Sequence, residues 1–129
     1  MQLNLILLKG TYAIYRFKND SVIPHQLKDS NFYSLTKTKD EISVVSKQLR
    51  LTKNDPEINK DWKIFKISGL LDFSLIGIIA EISRILKESN ISIFTISTYD
   101  TDYIIVKRAD LNKAIASLKA NGHTVMNEK

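Results

Sequence analysis

Residues 91–107 read Ile-Ser-Ile-Phe-Thr-Ile-Ser-Thr-Tyr-Asp-Thr-Asp-Tyr-Ile-Ile-Val-Lys. Two apolar, β-branched runs flank a polar tip. This is the pattern of a hairpin, with strands over 91–99 and 102–107. Asp100 and Asp102 help make the turn, since short polar side chains bond their own backbone. A turn alone accounts for one acid. It accounts less well for six consecutive side chains with a hydroxyl or carboxyl, Ser97 to Asp102. Such a run can line a small polar pocket.

Upstream, Trp62–Ile67 is apolar enough for a mostly buried strand, and Gly69 follows it. From Phe73 to Glu88, Leu75, Ile78, Ile79, Ile82, Ile85 and Leu86 recur at three- and four-residue steps, which predicts a helix with one apolar face. Asp72 is a natural N-cap for it, and Asn90 a left-handed stop. Downstream, Leu111, Ala114, Ile115 and Leu118 give a second helix over 110–121, stopped by Gly122. Residues 123–126 read as a last short strand. The order is β-α-β-β-α-β, a split βαβ, ferredoxin-like unit of the α+β class, with both helices on one face of an antiparallel sheet.

The first half carries a fainter copy. Residues 32–45 can be laid over 93–106, where Tyr33/Phe94, Leu35/Ile96 and Val44/Ile105 agree in kind and Val45/Val106 are identical. Leu3–Leu8 and Tyr12–Phe17 read as strands, or as one long bent strand, and Pro24–Leu27 as the start of a short helix. Residues 47–61 are polar and contain Pro56, so they read as a connection with room for a turn of helix. The expected organisation is a degenerate unit with linker over 1–61 and a complete unit over 62–129.

Composition narrows the function classes. The 129 residues suit one compact domain or two very small ones. The chain has no cysteine, which removes disulfides and thiolate metal sites and fits a cytoplasmic protein. No signal peptide or membrane span is expected. The net charge of +5 is spread, with ten Lys/Arg against seven Asp/Glu in residues 1–61 and nine against seven in 62–129. The basic residues are mostly Lys, whereas base readout leans on Arg forks. Nucleic acid is therefore not the expected partner. A ferredoxin-like RNA binder would need aromatics stacked on the sheet face, for which Tyr33, Phe65 and Phe94 are the candidates.

Catalysis is not expected either. Asp-x-Asp after an apolar strand occurs in haloacid-dehalogenase phosphatases, but here a new strand follows at once. Two carboxylates are too few for a metal site, and His25 and His123 lie in different halves, read as surface or strand-end residues. The four glycines, at 10, 69, 77 and 122, lack the spacing of a phosphate loop, and there is no nucleophile elbow. No cofactor is expected.

The segments Leu71-Asp72-Phe73-Ser74-Leu75-Ile76-Gly77-Ile78 and 93–106 resemble the ACT domain, in its branch related to the CASTOR amino-acid sensors. Residues 12–16 and 32–45 resemble the first of that branch's paired ACT units, so the likeness spans about residues 8–125. The resemblance implies a small-molecule ligand, most often an amino acid, bound at an interface between ACT units. It places the ligand against the turn between first strand and first helix, where free backbone N–H groups suit an α-carboxylate. The matching positions are Asp72, Phe73, Ser74, Leu75, Ile76, Gly77 and Ile78 on the helix side, and Thr98, Tyr99 and Asp102 on the hairpin. Asp102 could receive an ammonium group. Asn90, Ile91 and Ser92 are where a neighbouring unit contributes. Each has a plainer reading: Asp72 as a helix cap, Ile78, Leu75 and Ile76 as core, Gly77 as a packing position, Asp102 as a partner for a surface Lys. The sensors carry two such pairs per chain and this chain one, so a homodimer is the expected assembly.

Overall fold

The computed structural model describes residues 2–51, 56–68 and 77–129. By its contacts the chain divides into two units, residues 1–9 with 62–129, and residues 10–61.

The first of these holds β1 (Asn4–Leu7), the later residues of β5 (Glu57–Ser68), α2 (Ile78–Glu88), β6 (Ile93–Ser97), β7 (Asp102–Lys107), α3 (Leu111–Ala120) and β8 (Thr124–Asn127). Its strand order is β6-β7-β5-β1-β8. Four of the strands follow the ferredoxin-like pattern. The fifth, β1, lies between β5 and β8, antiparallel to the former and parallel to the latter. The contacts keep a division after residue 61 but place residues 1–9, with the N-terminal strand, in the same unit as 62–129. Its residues explain this. Leu3 and Leu5 are buried in the same core as Phe65 and Ile67 of β5.

That core lies on one face of the sheet. Leu5, Phe65, Ile67, Ile104 and Val106 from the strands meet Ile78, Ile82, Ile85 and Leu86 of α2 and Ala114 and Leu118 of α3. Each of the Leu, Ile, Val and Phe side chains contributes roughly 1.5–3 kcal/mol when fully removed from water. The helix periodicity predicted this face correctly, Ile79 and Ile115 packing at its rim. Phe65 therefore faces the helices and is not available on an open sheet face, while Tyr33 and Phe94 are exposed.

Both helices end alike. In α2 the C-cap is Ser89, Asn90 takes φ +58°, and the N–H groups of Asn90 and Ile91 donate to the carbonyls of Lys87 and Leu86 at 2.9 Å each. In α3 the C-cap is Asn121, Gly122 takes φ +88°, and Gly122 and His123 donate to Lys119 and Leu118. These are Schellman closures, each seating a buried residue after the left-handed one. A 3-10 turn, Arg108–Asp110, leads into α3. At the start of α2 the described residues place Gly77 as N-cap, with φ +87°. Asp72 and the predicted first turn from Phe73 lie outside the described residues.

The other unit holds β2 (Tyr12–Phe17), the short α1 (His25–Lys28), β3 (Ser34–Lys37), β4 (Ile42–Lys47) and residues 57–61 of β5, with strand order β3-β4-β2-β5. Ala13, Tyr15, Phe17, Ile23, Leu27, Ile42 and Val44 form its core, with Ile58 of β5 packed against it. That contact corrects the reading of 47–61 as a connection with a helical turn: from Glu57 the chain is strand. Gln48 stitches this stretch in place, accepting the Asp61 N–H at 2.7 Å and donating to Asp61 Oδ1 at 3.0 Å. Asp61 itself adopts φ +68°.

The two hairpins do match, though one residue away from the sequence overlay. Lys37 pairs with Ile42 and Ser97 with Asp102, an offset of 60 rather than 61. The turn chemistry sets this register. Thr38 N–H donates to the Glu41 carbonyl and Thr98 N–H to the Thr101 carbonyl, at 2.9 and 2.8 Å.

Candidate functional site

The end of β5 and the tip of the β6–β7 hairpin lie together. Thr101 is buried and its hydroxyl donates to the Ile67 carbonyl at 2.6 Å. This bond pins the tip to the end of β5. Thr98 closes the turn from the other side, its Oγ1 accepting the Thr101 N–H at 3.2 Å and donating to the Thr101 carbonyl at 3.1 Å. Ser97 Oγ donates to Asp102 Oδ1 at 2.5 Å. Tyr99 projects fully into solvent and Asp100 is exposed.

The start of α2 is at the same end. Glu81, in its first turn, meets buried His123, with Oε2 3.3 Å from Nε2. His123 Nδ1 accepts the Leu3 N–H at 2.9 Å, and the next residue, Asn4, is paired with Ser68 at the end of β5. Arg84 donates to Glu81 at 2.9 Å and to Glu88 at 3.2 Å. The Arg84 bond holds the Glu81 carboxyl below the usual carboxylate range, with His123 adding to it, and Glu81 and Glu88 push the guanidinium up in turn.

Against this geometry the expected site residues separate into groups. Asp72, Phe73, Ser74, Leu75 and Ile76 lie outside the described residues. Gly77, Thr98, Tyr99 and Asp102 are at the β5 exit end: Gly77, Thr98 and Tyr99 are exposed and Asp102 is half-buried. Ile78 and Ile91 are in the core, which agrees with the plainer reading of Ile78. Asn90 and Ser92 are exposed, but at the opposite end of the strands. Ile93 pairs with Val106, and Val106 with Lys63 near the start of the shared sheet, whereas Ser97 pairs with Asp102. At about 3.3 Å per residue, Ser92 and Thr98 are separated by roughly 20 Å along β6. One unit by itself does not bring the two groups together.

Two residues that matter here carried little signal in the sequence. Thr101 is legible only through the Thr98-x-x-Thr101 spacing across a turn. His123, read as a surface or strand-end residue, is at a strand end and is buried; the clue is its place directly after a helix-stopping glycine. The described residues contain no group of three or more His, Asp or Glu placed to hold a metal ion. No helix among them is long and apolar enough to cross a membrane.

Comparison with known proteins follows the same division. The family model of the ACT domain matches residues 57–120, and a model of an N-terminal domain matches residues 10–54. The chain is similar to protein Atu0741 from Agobacterium tumefaciens, with 32% identity and a TM-score of 0.91, covering 100% of this chain and 96% of that one. The fold is also similar to aspartate kinase from Clostridium acetobutylicum, described as an allosteric enzyme, at 16% identity and a TM-score of 0.71 over 94% of this chain and 35% of that one. A third similar structure is E. coli aspartokinase III in complex with aspartate and ADP, at 12% identity and a TM-score of 0.59 over 92% of this chain and 32% of that one. No curated protein matches the chain. With an ACT model over most of its second half and a relative alike over its whole length, this chain belongs to the ACT domain family.

Proposed function

We propose that the chain is a cytoplasmic regulatory protein that binds an amino acid or a similar small metabolite between ACT units of two copies. It would act without a catalytic step of its own, by ligand-dependent stabilisation of that interface. The observation that carries this reading is the polar tip. Thr98, Tyr99 and Asp102 are presented beside the end of β5, and Thr101 ties the tip to that position by a buried hydrogen bond. Asp102 keeps one oxygen engaged with Ser97, and the other is the group we assign to an ammonium of the ligand. Asp72 to Gly77 would supply backbone N–H groups to its carboxylate. Asn90 and Ser92, about 20 Å away within one unit, would complete the site from the second copy of a homodimer. The paired-unit sensors related to CASTOR are the branch this arrangement fits, and the aspartate complex of the E. coli aspartokinase makes small polar amino acids the first ligands to try.

A thermal-shift screen of the twenty amino acids at millimolar concentration tests it. A ligand present at about 100 times its Kd adds roughly 2.7 kcal/mol and raises Tm by several degrees. The reading requires a selective rise with one or two amino acids that Asp102→Ala abolishes. No rise with any of them would leave the ACT domain as a dimerisation or protein-interaction module whose pocket is vestigial.

A further inference from the structure

His123 joins three parts of its unit through one buried ring. Its side chain is fully buried, and both ring nitrogens are used. Nδ1 accepts the Leu3 N–H at 2.9 Å, so Nδ1 carries no proton. The proton is then on Nε2, which donates to Glu81 Oε2 at 3.3 Å. One neutral tautomer joins the residue before β1 to the first turn of α2. The imidazolium cannot do this. With hydrogen on both nitrogens it still donates to Glu81, but its Nδ1–H faces the Leu3 N–H, donor against donor.

The groups around the ring leave it no easy substitute. From α2 comes the Glu81 carboxylate, backed by Arg84, which also bridges to Glu88. From α3 the Leu118 carbonyl is taken by the His123 backbone N–H at 3.1 Å. From β1 and β8 come the Leu3 N–H and the uncharged Asn4–Thr124 side-chain pair. Beyond Leu3, the tie that remains is its carbonyl, which accepts the Thr124 N–H at 2.9 Å.

We propose that His123 is a proton-operated latch that holds the start of β1 to helix α2 while the ring is neutral and releases it on protonation. Protonation of Nδ1 replaces the Leu3 N–H hydrogen bond by two opposed donors, at the same end of the sheet as the hairpin tip. The latch does not depend on whether a ligand binds there.

Amide exchange of the whole chain followed by NMR tests the latch. The Leu3 amide should lose roughly tenfold in protection, after correction for intrinsic rates, as the His123 ring titrates, while amides in the middle of β7 keep theirs. His123→Asn offers an acceptor near the Nδ1 position that does not titrate, and should remove the step. His25→Gln, at the exposed histidine of α1, should leave it in place. Ring 15N shifts in the unaltered protein give a second reading that needs no variant. The Nε2–H tautomer is expected above the titration. Finding the Nδ1–H tautomer, or Leu3 exchange that ignores the titration, or a step that survives His123→Asn, would overturn the latch.

Discussion

Single residues hold this chain together by closing backbone ends. Tyr15 is the clearest case. It is fully buried, its hydroxyl donates to the Lys47 carbonyl at 2.8 Å and accepts the Leu49 N–H at 2.9 Å, and burial pushes its phenol above the ordinary value. Tyr15→Phe keeps the ring and leaves both backbone groups unpaired, so it should cost about 1–3 kcal/mol in urea unfolding. Glu81 gives a pH dependence with a defined sign. Its folded-state carboxyl titrates below the unfolded one, chiefly because of Arg84. The stability it contributes is complete above the unfolded-state value and is lost as pH falls through the folded one. Unfolding curves of the wild type and Glu81→Gln should converge on acidification. A gap that stays constant through the acid range would contradict the role of the ionised carboxylate. None of these contacts is written in the sequence as a motif. Tyr15 looks like any strand aromatic, and Glu81 like any polar-face residue of a helix.

Elements were legible where periodicity was long and obscure where it was short. The α2 face could be read from Ile78, Ile82, Ile85 and Leu86 because four core residues at helical spacing leave no other solution. Its end could be read from Asn90, which does take the left-handed conformation. Asn90→Ala should cost about 1 kcal/mol, while Asn90→Gly should be close to neutral, because the penalty there is a Cβ in left-handed backbone. Equal losses for both would mean that the Asn side chain, and not its backbone, ends the helix. The early part of β5 was hidden by Pro56 and by polar residues at 57, 59, 60 and 61. What makes it a strand is tertiary, namely Ile58 against the second core and Gln48 against Asp61. The overlay of the two hairpins is one residue off because it matches residues by kind, whereas the Thr38 and Thr98 turns fix the offset at 60.

For the whole molecule, the sequence told the kind of unit better than its membership. The β-α-β-β-α-β order of the second half is present, but β1 comes to it from the far N-terminus and lies between β5 and β8. Local pattern cannot report a pairing 120 residues distant, such as Asn4 with Thr124. The same limit applies to the candidate site. Its hairpin side was readable, whereas the distance from Thr98 to Ser92 follows only from the register of β6 against β7 and β5. That distance makes the central claim testable by a titration of the 15N-labelled chain with the amino acid that raises Tm most. A site completed by a second copy predicts saturable amide shifts in both groups, Gly77 with Thr98–Asp102 and Asn90–Ser92, with one shared Kd. Shifts confined to one group, or none in either at millimolar amino acid, would contradict it.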